Sequence, residues 1–230
     1  MPRRWAAPMV GASSMKVLLL LGALSIAPFA VLMVTSFVKI ATVLALVRTA
    51  IGVPDVPPAF VATGLAVLLS IFVMAPTGEA VWREVSPAIE REASGDWLSP
   101  RTADALLEGT ARAREPVRVF LEKHAHQKDR ALFLDLARKA RPASPDAITD
   151  RDLGVLIPAF VISELGEAFE IGFMLFVPFL VVDLVVATIL SALGMFMLSP
   201  LAVSLPFKLL LFVMVDGWHL LARGLVGAYS

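Results

Sequence analysis

Four apolar runs divide this sequence, and a strongly charged stretch lies between the second and the third. The runs cover residues 17–38, 61–75, 171–198 and 205–226. About 18 or more apolar residues are enough for a helix to cross a bilayer, and the run at 61–75 reaches that length with its flanks. Apolar residues form 58% of the chain and mean hydropathy is +0.80, against about 45–50% apolar residues in soluble domains. The pattern predicts an all-α, membrane-associated protein with apolar helical hairpins.

The charged stretch at 79–152 predicts a different kind of structure. It holds 13 Lys or Arg and 14 Asp or Glu, and its apolar residues recur at helical spacing. Ser94-Gly95 and the proline-rich run at 141–145 divide it into about three helices. We therefore predict three regions, which are N-terminal hydrophobic helices at 1–78, a helical soluble insert at 79–152 and C-terminal hydrophobic hairpins at 153–230.

The first apolar run has two interpretations. Arg3, Arg4 and Lys16 precede it, so it is either a cleavable signal segment or a spanning helix. We favour the spanning helix because the apolar run continues to Val38, past any plausible cleavage point. Met15 is an alternative first residue of the protein, and the residues before it would then say little about its structure.

Helix-breaking residues mark the predicted ends of the apolar helices. Gly52 and the prolines at 54, 57 and 58 separate the first two elements, and the second is predicted to end at the Pro-Thr-Gly of 76–78. The run at 171–198 is long for one span, so Pro178 and Gly194 predict that it is kinked or broken. Pro200 separates it from the last apolar run, which is predicted as one further segment.

Ionisable residues lie inside or beside the C-terminal apolar runs. They are Glu164, Glu167, Glu170, Asp183 and Lys208. A charge at the centre of the hydrocarbon costs about 2.5–3.5 kcal/mol on insertion scales, so such residues normally face a protein interior or a water-filled path. These charges predict that the C-terminal region forms the wall of an assembly.

Composition and motifs exclude several classes of function. The net charge is zero, so no basic surface favours nucleic acid, and the lack of cysteine excludes disulfides and thiolate chemistry. No HExxH, GxSxG, P-loop or GxGxxG motif occurs, so we predict no enzyme activity, no metal and no cofactor. His124 and His126 stand two apart, and on one helix they would be solvated side chains on different faces.

A small-molecule transporter or permease subunit stays an alternative, although the two halves of the chain share no evident repeat.

Several stretches resemble the FliP/SctR (YscR) family, the inner-membrane core proteins of flagellar and virulence type III export apparatus. The matching motifs are TSFVKI at 35–40, the glycine and double proline of 52–58, FVMAP at 72–76, ISEL at 162–165, AFEIGF at 168–173, PFLVVDLVVA at 178–187, GM at 194–195, LPFKL at 205–209 and VDGW at 215–218. Within the insert, only 115–120 and 129–138 are similar to the family. Ala59-Phe60 departs from the family, which commonly has Asn there. The long C-terminal motifs make the resemblance specific.

The resemblance implies a subunit of a protein export gate in the bacterial inner membrane. Five copies would form a ring with FliQ/SctS-like and FliR/SctT-like subunits, in contact with membrane lipids, and unfolded secreted proteins would pass through it. The insert would be extracytoplasmic, and the apolar hairpins would rise out of the bilayer plane and pack against neighbouring subunits. The motifs fit both the flagellar and the virulence branch, and we lean towards the virulence branch because no long signal peptide is evident.

The resemblance also implies a pore constriction. The methionine triplet of the family corresponds here to Met195-Phe196-Met197. Gly194 and Pro200 flank this segment and would let it project as a loop. Methionine is unbranched and refills irregular gaps, so we expect a flexible apolar collar that closes the channel at rest.

A second expectation concerns an ion pair. The family has an acid and a lysine at the positions of Glu164 in ISEL and Lys208 in LPFK. Both lie in apolar surroundings, where an unpaired charge is costly, and we expect them to pair between neighbouring subunits. Asp183 and Pro178 are predicted as structural charged and helix-breaking positions.

Overall fold

The protein is a bundle of α-helices. The computed structural model describes residues 22, 25–26, 28–52, 57–92, 100–142 and 147–229, and no β-strand occurs in these ranges, which confirms the all-α prediction. After a helical segment at 28–33, the helices in chain order are α1 (Phe37–Ile51), α2 (Ala59–Glu92), α3 (Pro100–His124), α4 (Gln127–Ala140), α5 (Leu153–Ala192), α6 (Pro200–Met214) and α7 (Gly217–Gly227).

Helix α1 lies in the hydrophobic core because one of its faces is apolar along its whole length. Ile40, Val43, Leu44 and Val47 follow helical spacing and are all buried. The helix ends at Gly52, which has a φ of 80° and donates its backbone N–H to the carbonyl of Arg48. This left-handed cap is typical of glycine, and it confirms the predicted break between the first two elements.

Helix α5 forms the long wall of the bundle, and α1 packs along it. Its 40 residues correspond to about 60 Å at 1.5 Å per residue, which is about twice the hydrocarbon thickness of a bilayer. The close approach of α1 depends on Gly172, since a Cβ there would overlap the Leu46 side chain and lie 3.1 Å from its Cβ. Part of α5 must therefore lie outside the hydrocarbon if the helix stands upright.

One proline-based prediction of a helix end is wrong, since α2 does not end at 76–78 but runs through Pro76 and Pro87 to Glu92. Helix α5 is continuous through Pro178, so the run at 171–198 is not broken at that residue. Each proline removes one backbone hydrogen bond of its helix, and packing on both sides of the proline outweighs that loss. The change to charged residues after Gly78 thus lies within one helix. The break predicted near Gly194 is confirmed, with a φ of 70° at that residue.

The last apolar run is broken, which the sequence pattern did not predict. Helices α6 and α7 meet at an angle of 60°, and Asp216 between them has a φ of 50°. Gly217 makes the bend possible because a Cβ there would overlap the ring of Phe212.

The insert forms a second core against α5. Phe120 and Leu121 of α3 pack with Leu156 and Phe160 of α5 and with Tyr229 beyond α7, and α4 also contacts α5. The predicted helix end near residue 141 is confirmed. The sequence pattern did not predict the break between α3 and α4 at 125–126. Ser94-Gly95 and residues 1–21 lie outside the described residues.

Within the part of the chain that the structure describes, two helices are long and apolar enough to cross a membrane. They are Ala59–Pro87, which is most of α2, and Leu153–Ala192, which is α5. The bent pair α6 and α7 passes the same test if the two helices are taken as one span. The structure thereby confirms a membrane protein with apolar hairpins and a helical insert.

Candidate functional site

The strongest candidate site is a set of charges inside the bundle, and we call Lys39, Glu164, Glu167, His126 and Tyr229 the buried charge centre. Lys39 on α1 is 1% exposed and Glu164 on α5 is fully buried. The Nζ of Lys39 lies 3.1 Å from Oε1 of Glu164 and 2.6 Å from Oε2 of Glu167. One ammonium group is therefore shared by two carboxylates one helical turn apart.

The insert reaches the buried charge centre through the start of α4. The Nε2 of His126 lies 2.7 Å from Oε1 of Glu167. The backbone N–H of His126 donates to Oγ of Ser163 over 2.8 Å, and the Ser163 hydroxyl lies 2.7 Å from Oδ2 of Asp129. These contacts are the polar link between the charged insert and the apolar wall.

The C-terminal tail closes the buried charge centre from the other side. The hydroxyl of Tyr229 donates to Oε2 of Glu164, and Lys39 Nζ lies 4.2 Å from the centre of the Tyr229 ring. Burial and the negative charge of Glu164 raise the pKa of Tyr229, so its hydroxyl stays protonated. Burial and the charges of Lys123 and Lys39 lower the pKa of the neighbouring His124 to about 4.

A second ion pair joins α5, α6 and the end of α1. The Nζ of Lys208 lies 2.6 Å from Oδ2 of Asp183 and donates to the backbone carbonyl of Ala50 over 3.2 Å. Ser204 donates its hydroxyl to Asp183. Lys208 is 2% exposed and completes the cap of α1 with a positive charge at the helix C-terminus, where it is favourable.

The structure does not bring Glu164 and Lys208 together within one chain. Glu164 lies against Lys39 and Lys208 lies against Asp183, so each buried charge already has an opposite charge inside its own chain. Both Glu164 and Lys208 were expected to need an oppositely charged partner, and each has one in another helix of the same chain. The pair between neighbouring subunits stays a prediction.

The segment predicted as a pore constriction lies in the turn between α5 and α6. Met195, Phe196 and Met197 are 47%, 82% and 99% exposed. Gly194 takes the left-handed conformation before them, and Pro200 occupies the first turn of α6 after them. The predicted projecting loop is confirmed, and its apolar tip makes few contacts with its own chain.

Sequence reasoning missed most of the buried charge centre. Lys39 is the one basic residue of the apolar stretch at 37–47, and Tyr229 is the one tyrosine of the chain, but nothing in their spacing points to Glu164. Both histidines were expected to be solvated. The His126 side chain is 41% exposed but also contacts Glu167, whereas His124 packs against the rings of Phe120 and Tyr229, so the expectation is wrong for His124. Within the described part of the chain, no group of three or more His, Cys, Asp or Glu could hold a metal ion.

Comparison with known proteins identifies the family. The FliP family profile matches residues 20–225, so the chain belongs to the FliP family. It is 43% identical to the flagellar biosynthetic protein FliP of Bacillus subtilis (strain 168) over 94% of this chain and 92% of that protein.

Relatives from virulence systems match about as well. The hypersensitivity response secretion protein HrcR of Ralstonia nicotianae is 43% identical over 90% of this chain and 93% of that protein. The Yop proteins translocation protein R of Yersinia pestis is 42% identical over 93% of this chain and 95% of that protein. The chain is thus a membrane protein of a family of flagellar and type III export proteins, and identity does not separate the two branches.

Proposed function

We propose that this protein is a core subunit of the gate of a type III protein export apparatus in the bacterial inner membrane. Several copies, five by the family resemblance, would form a protein-conducting channel with FliQ/SctS-like and FliR/SctT-like subunits. The names of the relatives, which refer to flagellar biosynthesis, secretion and translocation, support this role over a small-molecule permease.

The observation that carries the proposal is the apolar surface of α5. Exposed large apolar side chains occur along α5 from Ile162 through Phe173 to Ile189. This stretch is about 40 Å long at 1.5 Å per residue and is longer than the hydrocarbon thickness of about 30 Å. Contiguous exposed apolar surface marks an interaction site. The part of α5 that lies beyond the hydrocarbon needs protein to cover it, and neighbouring copies and companion subunits would do so.

The copy number tests this proposal. The chain would be produced with its companion subunits, extracted in a mild detergent and weighed by native mass spectrometry. We expect particles that contain five copies of the 24.7 kDa chain. A monomer that is stabilised by a small-molecule solute would instead support the permease alternative.

The exposed loop between α5 and α6 is proposed as the apolar collar of the channel. A protein-conducting pore must seal against ions at rest and still yield to an unfolded chain. Exposed methionines at Met195 and Met197 suit this task because they adapt to irregular partners, and an apolar ring excludes ions by dewetting. Phe196 is stiffer and would narrow the closed ring.

The insert is proposed to be extracytoplasmic. It is held to the apolar wall by polar contacts of His126 and Asp129 with α5, so it is a fixed part of the subunit. Reporter proteins fused after Arg141 test its side of the membrane. We expect alkaline phosphatase to be active there and a cytoplasm-only fluorescent reporter to be dark, and the opposite pattern would place the insert in the cytoplasm.

A further inference from the structure

The outward face of α5 carries a single charge among apolar side chains. Phe169 and Phe173 are exposed on this face, and Glu170 beside them is the one exposed residue of α5 with a charge. The carboxylate of Glu170 forms no hydrogen bond or ion pair with the residues that the structure describes. A charge without a partner is costly once the surface around it is covered, so whatever covers this part of α5 has to supply a cation.

Helix α7 presents a cation on a face of complementary shape. Arg223 is the one residue of α7 with a permanent charge, and it is exposed. Its guanidinium likewise has no hydrogen bond or ion pair among the described residues. Gly224 and Gly227 lie beside it, and a Cβ at either position would meet no atom within 4 Å. The face therefore combines a guanidinium with open space for large side chains.

The two faces lie on opposite sides of the chain. Ala168 of α5 and Leu221 and Leu225 of α7 are buried in the same hydrophobic core. Two positions along a helix correspond to a rotation of about 200°, so Glu170, two residues after Ala168, points away from this core. Arg223 lies two residues from each of the buried leucines and also points away from it. The two charges of one chain are thus directed apart and are available to other chains.

The two charges also lie at about the same level along the bundle. Leu220 near the start of α7 lines one apolar cavity together with Met174 of α5, and Tyr229 beyond the end of α7 donates to Glu164 of α5. Helix α7 is therefore antiparallel to α5. The guanidinium lies between the two contact points on α7, as the exposed carboxylate does on α5. Rotation about an axis along α5 keeps this level, so the carboxylate of one copy faces the guanidinium of the next.

We propose that Glu170 of one copy forms an ion pair with Arg223 of the next copy, with the outward face of α5 packed on the outward face of α7. This inference rests on the proposed function, which supplies the several copies. The contact joins two different surfaces head to tail, and its repetition by rotation closes a ring. The side chains of Phe169 and Phe173 fill the space over the α7 glycines. The planar guanidinium binds a carboxylate in a fixed geometry and sets the register of the two helices.

Disulfide cross-linking between two populations of the chain tests the contact. The chain has no cysteine of its own, so Gly166→Cys and Gly227→Cys are made in separate, differently tagged copies that are produced together with the companion subunits. Each position lies one helical turn from the proposed pair on its own face, and both are open. We expect oxidation to give a dimer that contains both tags. Leu184→Cys with Gly227→Cys is the matched control and should give none, because exposed Leu184 lies about 27 Å further along α5 than Gly166.

Charge exchange tests the ion pair itself. Glu170→Arg and Arg223→Glu should each lower the cross-linked fraction about tenfold because like charges then face each other. A chain with both exchanges should regain most of it. Lys139→Glu, at a surface lysine of the insert, should leave the fraction unchanged. A double exchange that folds by circular dichroism and is not rescued would contradict the pair. If an exchange does not fold, the cross-links made with the native charges decide.

Native mass spectrometry of the same samples separates this contact from the proposed function. Particles of several copies without a mixed-tag dimer would overturn the contact and leave the channel role standing, whereas the lack of such particles would overturn both. A benzophenone side chain in place of Phe173 identifies what covers α5. Photoadducts on α7 of another copy are the expected result, and adducts confined to a companion subunit or to lipid would refute the proposal.

Discussion

At the scale of single residues, the chain buries ionised groups in apolar surroundings and gives each an opposite charge. Lys39 forms ion pairs with Glu164 and Glu167, and Lys208 forms one with Asp183. Desolvation makes such pairs neutral or even unfavourable compared with apolar packing, but the loss of one partner is strongly destabilising. We infer that these pairs contribute specificity, since other arrangements of α1, α5 and α6 would leave buried charges unpaired.

Removal of Lys39 should destabilise the protein strongly. We expect Lys39→Met to lower the free energy of unfolding by about 3–5 kcal/mol because it leaves buried Glu164 without a cation. Adding Glu164→Gln to Lys39→Met should recover part of the loss. Thermal unfolding in detergent, followed by circular dichroism, measures both. Lys139→Met is the matched control, since Lys139 pairs with Asp135 at the surface, and an equal effect of the two lysine variants would contradict the prediction.

His124 should make stability depend on pH in the acid range. Its pKa is lowered to about 4 in the folded chain, so below about pH 6.5 the unfolded chain binds a proton that the folded chain does not. Stability is full above about pH 6.5 and is lost as the pH falls towards 4. His124 is half-buried, so the loss should be about 1–2 kcal/mol after solvent screening.

The variant His124→Phe isolates this effect. It keeps a ring against Phe120 and Tyr229, whose ring centres lie 4.8 and 5.0 Å from that of His124, and it removes the titrating group. Melting temperatures between pH 4 and pH 8 should fall less steeply in the variant than in the unchanged chain. Parallel curves would show that His124 does not titrate as described.

At the scale of the elements, close packing and breaks in the helices decide where charges meet. Gly172 lets α1 approach α5, which places Lys39 beside Glu164. The left-handed turn at Gly52 exposes the end of α1 to Lys208, whose Nζ lies 3.6 Å from the position of a Cβ at Gly52. Small residues at two points therefore set the geometry of both ion pairs.

A methyl group at Gly172 should disturb the α1–α5 contact. We expect Gly172→Ala to cost about 1–3 kcal/mol, as overpacking does in a close-packed core. Gly166→Ala on the same helix meets no atom within 4 Å and should be neutral or stabilising by up to about 1 kcal/mol, since alanine favours helix. Leu46→Ala combined with Gly172→Ala should relieve the clash. Equal melting temperatures for the two glycine variants would refute this account of the contact.

Charge exchanges distinguish the partners of Lys208. Asp183→Lys and Lys208→Asp should each destabilise the α5–α6 hairpin. The double exchange should restore only part of the stability, because the pair is re-formed with opposite polarity but the carboxylate at position 208 cannot donate to the carbonyl of Ala50 at the end of α1. Double-mutant analysis of thermal unfolding measures the coupling. Rescue of ring assembly by Glu164→Lys with Lys208→Glu, and not by the Asp183 exchange, would instead support the predicted pair between neighbouring subunits.

At the scale of the whole molecule, one chain combines an apolar wall longer than a bilayer, a charged insert and an exposed apolar loop. The insert is tied to the wall at the buried charge centre, so the two parts form one unit despite their opposite compositions. The loop at 194–199 exposes the side chains of Met195, Phe196 and Met197, while the backbone N–H of Met195 donates to the carbonyl of Leu190 in α5. A helical frame with one exposed apolar loop would suit the proposed gate, because the loop could move while the frame stays folded.

Deletion of Met195, Phe196 and Met197 should open the channel without preventing assembly. These side chains are exposed, so their loss costs the fold little, whereas an apolar seal made from several copies would be lost. The expected result is an assembled complex with ion leakage in cells or proteoliposomes. Replacement by Gly-Ser-Gly should leak as well, and Phe196→Met should stay tight. A deletion complex that assembles but does not leak would contradict the proposal that this loop seals the channel.

The sequence by itself determined the helical class, the apolar runs, the charged insert and the family motifs. These features depend on local periodicity and on runs of residues, which are read without knowing the fold. Gly52, Gly194 and Pro200 were predicted correctly as breaks because the backbone limits of glycine and proline act within a few residues. The loop of Met195 to Met197 follows from the same local rules.

Only the tertiary structure decided which charges meet and which prolines end a helix. Lys39 and Glu164 are 125 positions apart, and they pair because α1 packs along α5 and Gly172 leaves the space. Pro76 and Pro178 stay inside helices because packing along those helices outweighs one lost hydrogen bond, a balance that the local sequence does not contain. The bend at Asp216 depends on the packing of the Phe212 ring over Gly217, which lies across the turn between α6 and α7. Local sequence limits what each segment can form, whereas burial of one segment against another selects among the options.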